Sequence, residues 1–136
     1  MTTKVRTLLH DERGTATIEA AIWLAPALLV LVGLVQIGFW WAAVDTCSAA
    51  AQDGLDAGRV LGSGPATAQR EATSYMARVQ SLAHNPQVST AGTTDTQMSV
   101  AVSADVVLVV PIPGWHWHVE RAAVGAREHP TDPGDS

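Results

Sequence analysis

The chain has a single cysteine, Cys47, in 136 residues. No intramolecular disulfide can form, and the residue is expected as a small buried side chain. Basic residues are also scarce, since Lys and Arg total 8 against 13 acids for a formal net charge of −5. Beyond residue 44, Arg59, Arg70, Arg78, Arg121 and Arg127 face ten acids. No basic patch is left to hold phosphates, which excludes nucleic acid as a partner. The chain also lacks a nucleophile elbow, a phosphate-binding Gly loop, a CxxC pair and any internal repeat. Catalysis and a bound cofactor are therefore not expected.

One long feature stands out against these absences. Residues 20–44 form an apolar run interrupted only by Gln36, and as a helix rising ~1.5 Å per residue it would cover about 37 Å, enough to cross a bilayer with some tilt. Lys4, Arg6 and Arg13 precede it, whereas the next base is Arg59. This bias places the N-terminus in the cytoplasm and the C-terminal portion outside, with Trp40 and Trp41 as an interfacial anchor on the outer side. The reading is of a single-pass protein of the cell membrane whose first partner is the lipid bilayer.

The remainder divides by its periodicity. Residues 1–14 read as a polar cytoplasmic leader, and a helix begins at Thr15 and continues outward to residue 61. Pro26 marks a bend in it, and Gly33 and Gly38 offer close approach to a neighbouring helix. Past the span, Cys47, Ala50, Ala51, Leu55, Gly58 and Leu61 share one stripe. Gly62-Ser63-Gly64-Pro65 is a stop. A second, short helix follows over 66–81 on Ala68, Ala72, Tyr75, Met76 and Val79, and His84-Asn85-Pro86 ends it. The period then falls to two. Met98, Val100, Val102, Ala104, Val106, Leu108 and Val110 form the apolar face of a strand over 98–110. Pro111-Ile112-Pro113-Gly114 is a turn, 115–126 the next strand, and 87–91 a weaker preceding one. Residues 62–128 make one extracytoplasmic unit, and 129–136 a polar tail. The fold class is α+β: a long membrane helix extended outward, a short second helix, and a small antiparallel sheet of about three strands packed against them.

The junction Arg13-Gly14-Thr15-Ala16-Thr17-Ile18-Glu19 puts a carboxylate at the mouth of the span, where an ionised group calls for a partner or a role. The order of a basic residue, Gly, four small or apolar residues, Glu and a long apolar helix resembles the processing region of type IV pilins. Together with the longer outer region and the segment Gln36-Ile37-Gly38, the chain is most similar to the TadE-like pseudopilins of tight-adherence (Flp-type) pilus assembly systems. The resemblance implies that a prepilin peptidase cuts between Gly14 and Thr15, and that other pilin-like subunits or pilus assembly proteins are partners. It also implies that Glu19 serves subunit packing, facing the freed Thr15 ammonium of a neighbour. The sequence departs from the family at Ala20, where an aromatic residue is frequent, and at Pro26, which lies slightly later than usual.

The same residues admit three other readings. His116, His118 and Glu120 would put three potential metal ligands on one face of a strand, but alternation makes that the wet face, with Trp115, Trp117 and Val119 inward. The solvated reading is preferred, and no metal is assigned. A conventional signal peptide cut near Ala49-Ala50-Ala51 would release residues 52–136, although the apolar run exceeds the ~7–15 residues of a secretory core. A plain bitopic anchor protein of the cell envelope is the simplest alternative.

Overall fold

The computed structural model describes residues 8–60, 62–81 and 83–127, with side chains described from residue 17. Residues 1–7 of the expected leader, Leu61 of the expected stripe and the tail 129–136 lie outside the described residues. The elements are α1 (Leu8–Arg59), α2 (Pro65–Arg78), β1 (Ala83–Ser89), β2 (Gln97–Val106) and β3 (His118–Ala126). They form two compact units, Met1–Gln36 and Ile37–Ser136. The α+β expectation of two helices followed by a three-stranded antiparallel sheet is met.

In the first unit α1 is apolar on every side over residues 20–35. Ile18, Ile22, Trp23, Leu24, Leu29 and Leu34 are all exposed. Helix formation precedes the expected start at Thr15, because α1 begins at Leu8. Pro26 sits inside α1 without ending it; its ring removes one i→i−4 hydrogen bond, the kind of local loss that membrane helices tolerate.

In the second unit the last part of α1 turns one stripe inward. Ala43, Cys47, Ala50, Ala51, Gly54, Leu55 and Gly58 are buried at helical spacing, as the stripe from Cys47 predicts. A turn then reverses the chain: the Ser63 N–H donates to the Val60 carbonyl at 2.9 Å, and Gly62 takes φ +84°. Pro65 opens α2 at a position that needs no N–H. Ala68, Ala72 and Met76 of α2 face the core.

The sheet order is β1-β2-β3, antiparallel throughout. Central β2 alternates cleanly, burying Met98, Val100, Val102, Ala104 and Val106 beneath the helices. α2 ends at Arg78, with Val79 as its C-cap, instead of running to residue 81, and three boundaries in the sheet also differ from the sequence expectation. First, β1 begins at Ala83, so His84-Asn85-Pro86 lies within a strand. A register shift between His84 and Gln87 absorbs it, with Asn85 at φ +50°. Asn tolerates the left-handed region, and Pro is admissible at a bulge in an edge strand. Second, β2 stops at Val106 instead of reaching Val110. Third, β3 starts at His118 instead of Trp115. The hairpin therefore closes with the Val106 N–H donating to the Trp117 carbonyl at 2.8 Å. Pro111 and Pro113 cannot donate to a longer ladder. Within the connecting loop the Trp115 N–H donates to the Ile112 carbonyl at 3.1 Å around Gly114 at φ +82°, a type II turn with Pro and Gly in its two central places.

The tightest contact joins the two helices. A Cβ on Gly54 would lie 2.8 Å from the Ala68 carbonyl oxygen and 2.9 Å from the Ala72 Cβ, and one on Gly58 would lie 2.6 Å from the Ala68 Cβ. Gly54→Ala is therefore expected to destabilise the second unit. It gains ~1 kcal/mol in helix propensity but incurs about 1–3 kcal/mol of overpacking against backbone that cannot rotate away. Gly38→Ala, whose Cβ would meet nothing within 4 Å, is the control. Thermal unfolding of the detergent-solubilised chain should show a lower midpoint for Gly54→Ala only.

Candidate functional site

Two clusters of polar groups emerge, one on the apolar part of α1 and one at an end of the sheet. Gly14 and Thr15 are helical in backbone, about two turns into α1. Glu19 follows, exposed, with Ile18, Ile22 and Trp23 exposed around it. Among the described residues no hydrogen bond or ion pair satisfies its carboxylate. At helical spacing Thr15, Glu19, Trp23 and Pro26 fall on one face. This face thus carries one acid in otherwise apolar surroundings, beside a glycine that weakens the helix locally by ~1 kcal/mol relative to alanine. The helix containing it is long and apolar enough to cross a membrane, and its apolar window is not buried within the structure.

The second cluster lies where β2 and β3 end and begin. His118 pairs with Asp105 across the ladder, with His118 Nδ1 3.1 Å from Asp105 Oδ1. Asn85 Nδ2 donates to the other carboxylate oxygen at 3.1 Å. The hydrogen bond from His118, then that from Asn85, holds the Asp105 carboxyl below its ordinary 3.8. The Asn85 bulge is what aims its amide at the acid. Sequence reasoning did not find this trio, because it depends on where the hairpin closes and on a left-handed residue at a position read as a helix stop. The one available signal was Asp105 itself, an acid in an otherwise uncharged strand.

The His116-x-His118-x-Glu120 spacing does not become a ligand set here. His116 precedes β3, so only His118 and Glu120 share the strand, and His118 is directed to Asp105. Among the described residues no three His, Cys, Asp or Glu side chains gather as a metal cluster. The expected inward face also changes: Val119 is buried, Trp117 is half-buried and Trp115 is exposed, because the latter two belong to the loop. Cys47 is buried within the core, as expected. Ala50 and Ala51, the alternative cleavage region, are core residues as well.

Residues 14–56 match the family model of TadE-like proteins, so the resemblance read at the junction holds for this stretch. It includes Gly14, Thr15, Glu19, the apolar run and the inward stripe as far as Leu55; α2 and the sheet lie outside it. The chain matches no curated protein and no solved structure at a significant level. The match and the apolar helix together support a membrane-anchored, pilus-related protein.

The Asp105 trio has a measurable pH signature. A carboxyl whose folded value is depressed contributes stability that is present above its unfolded value and lost as pH falls through the folded one. Both partners are substantially exposed, so the contribution is a few tenths to about 1 kcal/mol. Asp105→Asn should lower stability at neutral pH, and the gap from the unsubstituted chain should close below 3.8. Denaturant unfolding of both chains across pH checks this, and a gap that persists unchanged in acid contradicts it.

Proposed function

We propose that the chain is a TadE-like pseudopilin, a membrane-anchored component of Flp or tight-adherence pilus assembly or secretion. It acts by packing its N-terminal helix against those of other pilin-like subunits and performs no chemistry. The observation that carries this reading is α1 itself, apolar on every side over 20–35 with one exposed carboxylate at Glu19. The bilayer holds the helix, and the Lys4, Arg6 and Arg13 bias sets an N-in, C-out orientation.

A prepilin peptidase would cut between Gly14 and Thr15. Because the backbone there is helical, the bond must first be drawn out of the helix, and Gly14 makes that local opening cheaper. Cleavage would make Thr15 the first residue of the helix and put Glu19 near its first turn, where a carboxylate interacts favourably with the helix dipole and a free ammonium does not. The Thr15 ammonium is then better satisfied by Glu19 of an adjacent subunit than by its own helix, which would set the register between subunits. Release by a signal peptidase near Ala50 and Ala51 is disfavoured, because it would strip Ala43, Cys47, Ala50 and Ala51 from a core in which all four are buried.

Mass spectrometry of the membrane-bound mature chain from its native host tests processing. A start at Thr15 is expected, an intact Met1 refutes the cut, and a start near Gln52 refutes the anchor. Glu19→Val should leave cleavage largely intact but reduce co-purification with pilus components about tenfold or more, in line with the ~1.5–3 kcal/mol of a hydrogen bond to a charged group. Unchanged co-purification rules out the pairing.

A further inference from the structure

The loop between β2 and β3, residues 107–117, is left unexplained by helix packing. It contains no Asp, Glu, Lys or Arg, and Val109, Val110, Ile112 and Trp115 are exposed, Trp115 at 55%. Its position follows from the register of α1 on the sheet. A Cβ on Gly58 would lie 3.1 Å from the Met98 side chain and one on Gly54 3.3 Å from that of Val100, while Leu55 lies against Gly125, the strand partner of Met98. Four helix residues rise about 6 Å and two strand residues about 6.6 Å. Each four-residue step back along α1 therefore matches a two-residue step forward along β2. Val102 falls level with Ala50 and Ala51, Ala104 with Cys47, and Val106 with Ala43, all of them buried. Phe39 and Trp117 pack on the same core. The loop thus leaves the sheet level with residues 37–43 of α1, where Trp40 and Trp41 stand edge to face, ring centroids 6.1 Å apart.

We propose that the 107–117 loop is a second membrane-contacting element, inserted at the outer headgroup level beside Trp40 and Trp41; this rests on the membrane-anchored reading of α1. The occupant is lipid because the loop is level with Trp40 and Trp41 of the same unit, exposes Val109, Val110, Ile112 and Trp115, and contains no Asp, Glu, Lys or Arg. Pro111 and Pro113 remove two N–H groups whose desolvation would oppose insertion. Trp115 at its turn is the side chain favoured at a membrane–water boundary. The backbone here is irregular, which limits insertion to the headgroup and acyl boundary and keeps the loop out of the hydrocarbon centre. At the base of the loop Asp105 is held by His118 and Asn85, so insertion is confined to the loop itself, while the opposite end of the sheet carries Thr93, Thr94, Asp95 and Thr96 in the β1–β2 connection.

The test uses the full chain with Cys47→Ala, reconstituted in phosphatidylcholine vesicles. A solvent-sensitive dye is attached in turn at Ile112→Cys, Asp95→Cys and Leu29→Cys, and quenching by doxyl-labelled lipid and by aqueous iodide is read. Lipid quenching at Ile112→Cys is expected to exceed that at Asp95→Cys about twofold or more, as for an interfacial against an aqueous site. Strong lipid quenching at Leu29→Cys with equal, low quenching at the other two positions overturns the loop contact and spares the anchor. Protection of Ile112→Cys from iodide without lipid quenching also overturns it, since a protein then covers the loop. No lipid quenching at Leu29→Cys overturns the anchor and the loop contact together.

Discussion

The close approach of α1 and α2 is the contact on which the outer unit depends. Gly54 and Gly58 on one helix face Ala68 and Ala72 on the other, with Met98 and Val100 beneath. Any side chain larger than hydrogen at Gly54 meets a backbone carbonyl that has no rotamer to change. The approach lets two helices share one face of a three-stranded sheet whose inner residues are mostly valine and alanine. The core is built from small parts, with Met76 and Met98 as its largest fully buried side chains. Methionine suits that role, since its flexible chain fills the irregular space left between small neighbours.

α1 has to satisfy two solvents in succession. Over 20–36 every side faces outward and nearly every residue is apolar, whereas from Ala43 one stripe turns inward and Asp45, Gln52, Asp53 and Asp56 occupy the exposed side. The family match ends at residue 56, where α1 is still in contact with α2 and the sheet. The matched segment therefore includes both the apolar run and most of the stripe on which the outer unit is built. α2 and the strands lie outside that match.

Much of this was legible in the sequence because the period of the apolar residues is set by local geometry. The stripe from Cys47, the α2 face of Ala68, Ala72 and Met76, and the alternation from Met98 to Val106 each follow from one element's own spacing. What was not legible depends on pairing. Leu108 and Val110 continue the alternation of β2, yet they leave the sheet because the prolines beyond them cannot supply a partner strand. The Asn85-Pro86 pair reads as a helix stop until its neighbour β2 is known, whereupon an edge-strand bulge accommodates both. Gly54 gave no apolar signal; its role appears only once α2 is placed against it. At the candidate site the positions of Gly14, Thr15 and Glu19 could be read directly, whereas the roles proposed for them involve a second chain.

The depth of Glu19 decides how that acid can work. The apolar run that follows it, residues 20–44, would cover about 37 Å as a helix, somewhat more than the ~30 Å hydrocarbon thickness of a bilayer. On the proposed membrane-anchored reading Glu19 stands at the margin of that run, where headgroups and water still reach. An ionised carboxylate at the bilayer centre would demand a partner in every state, including in the isolated chain. At the boundary the effective dielectric lies between that of water and a partly buried site, so a cation 4 Å away is worth roughly 1–4 kcal/mol. That is too little to hold an assembly together by itself and enough to choose among registers that apolar helices, nearly indifferent to sliding, would otherwise occupy equally. The apolar surface would then supply most of the association, and the single carboxylate would supply its register together with about a tenfold share of the affinity.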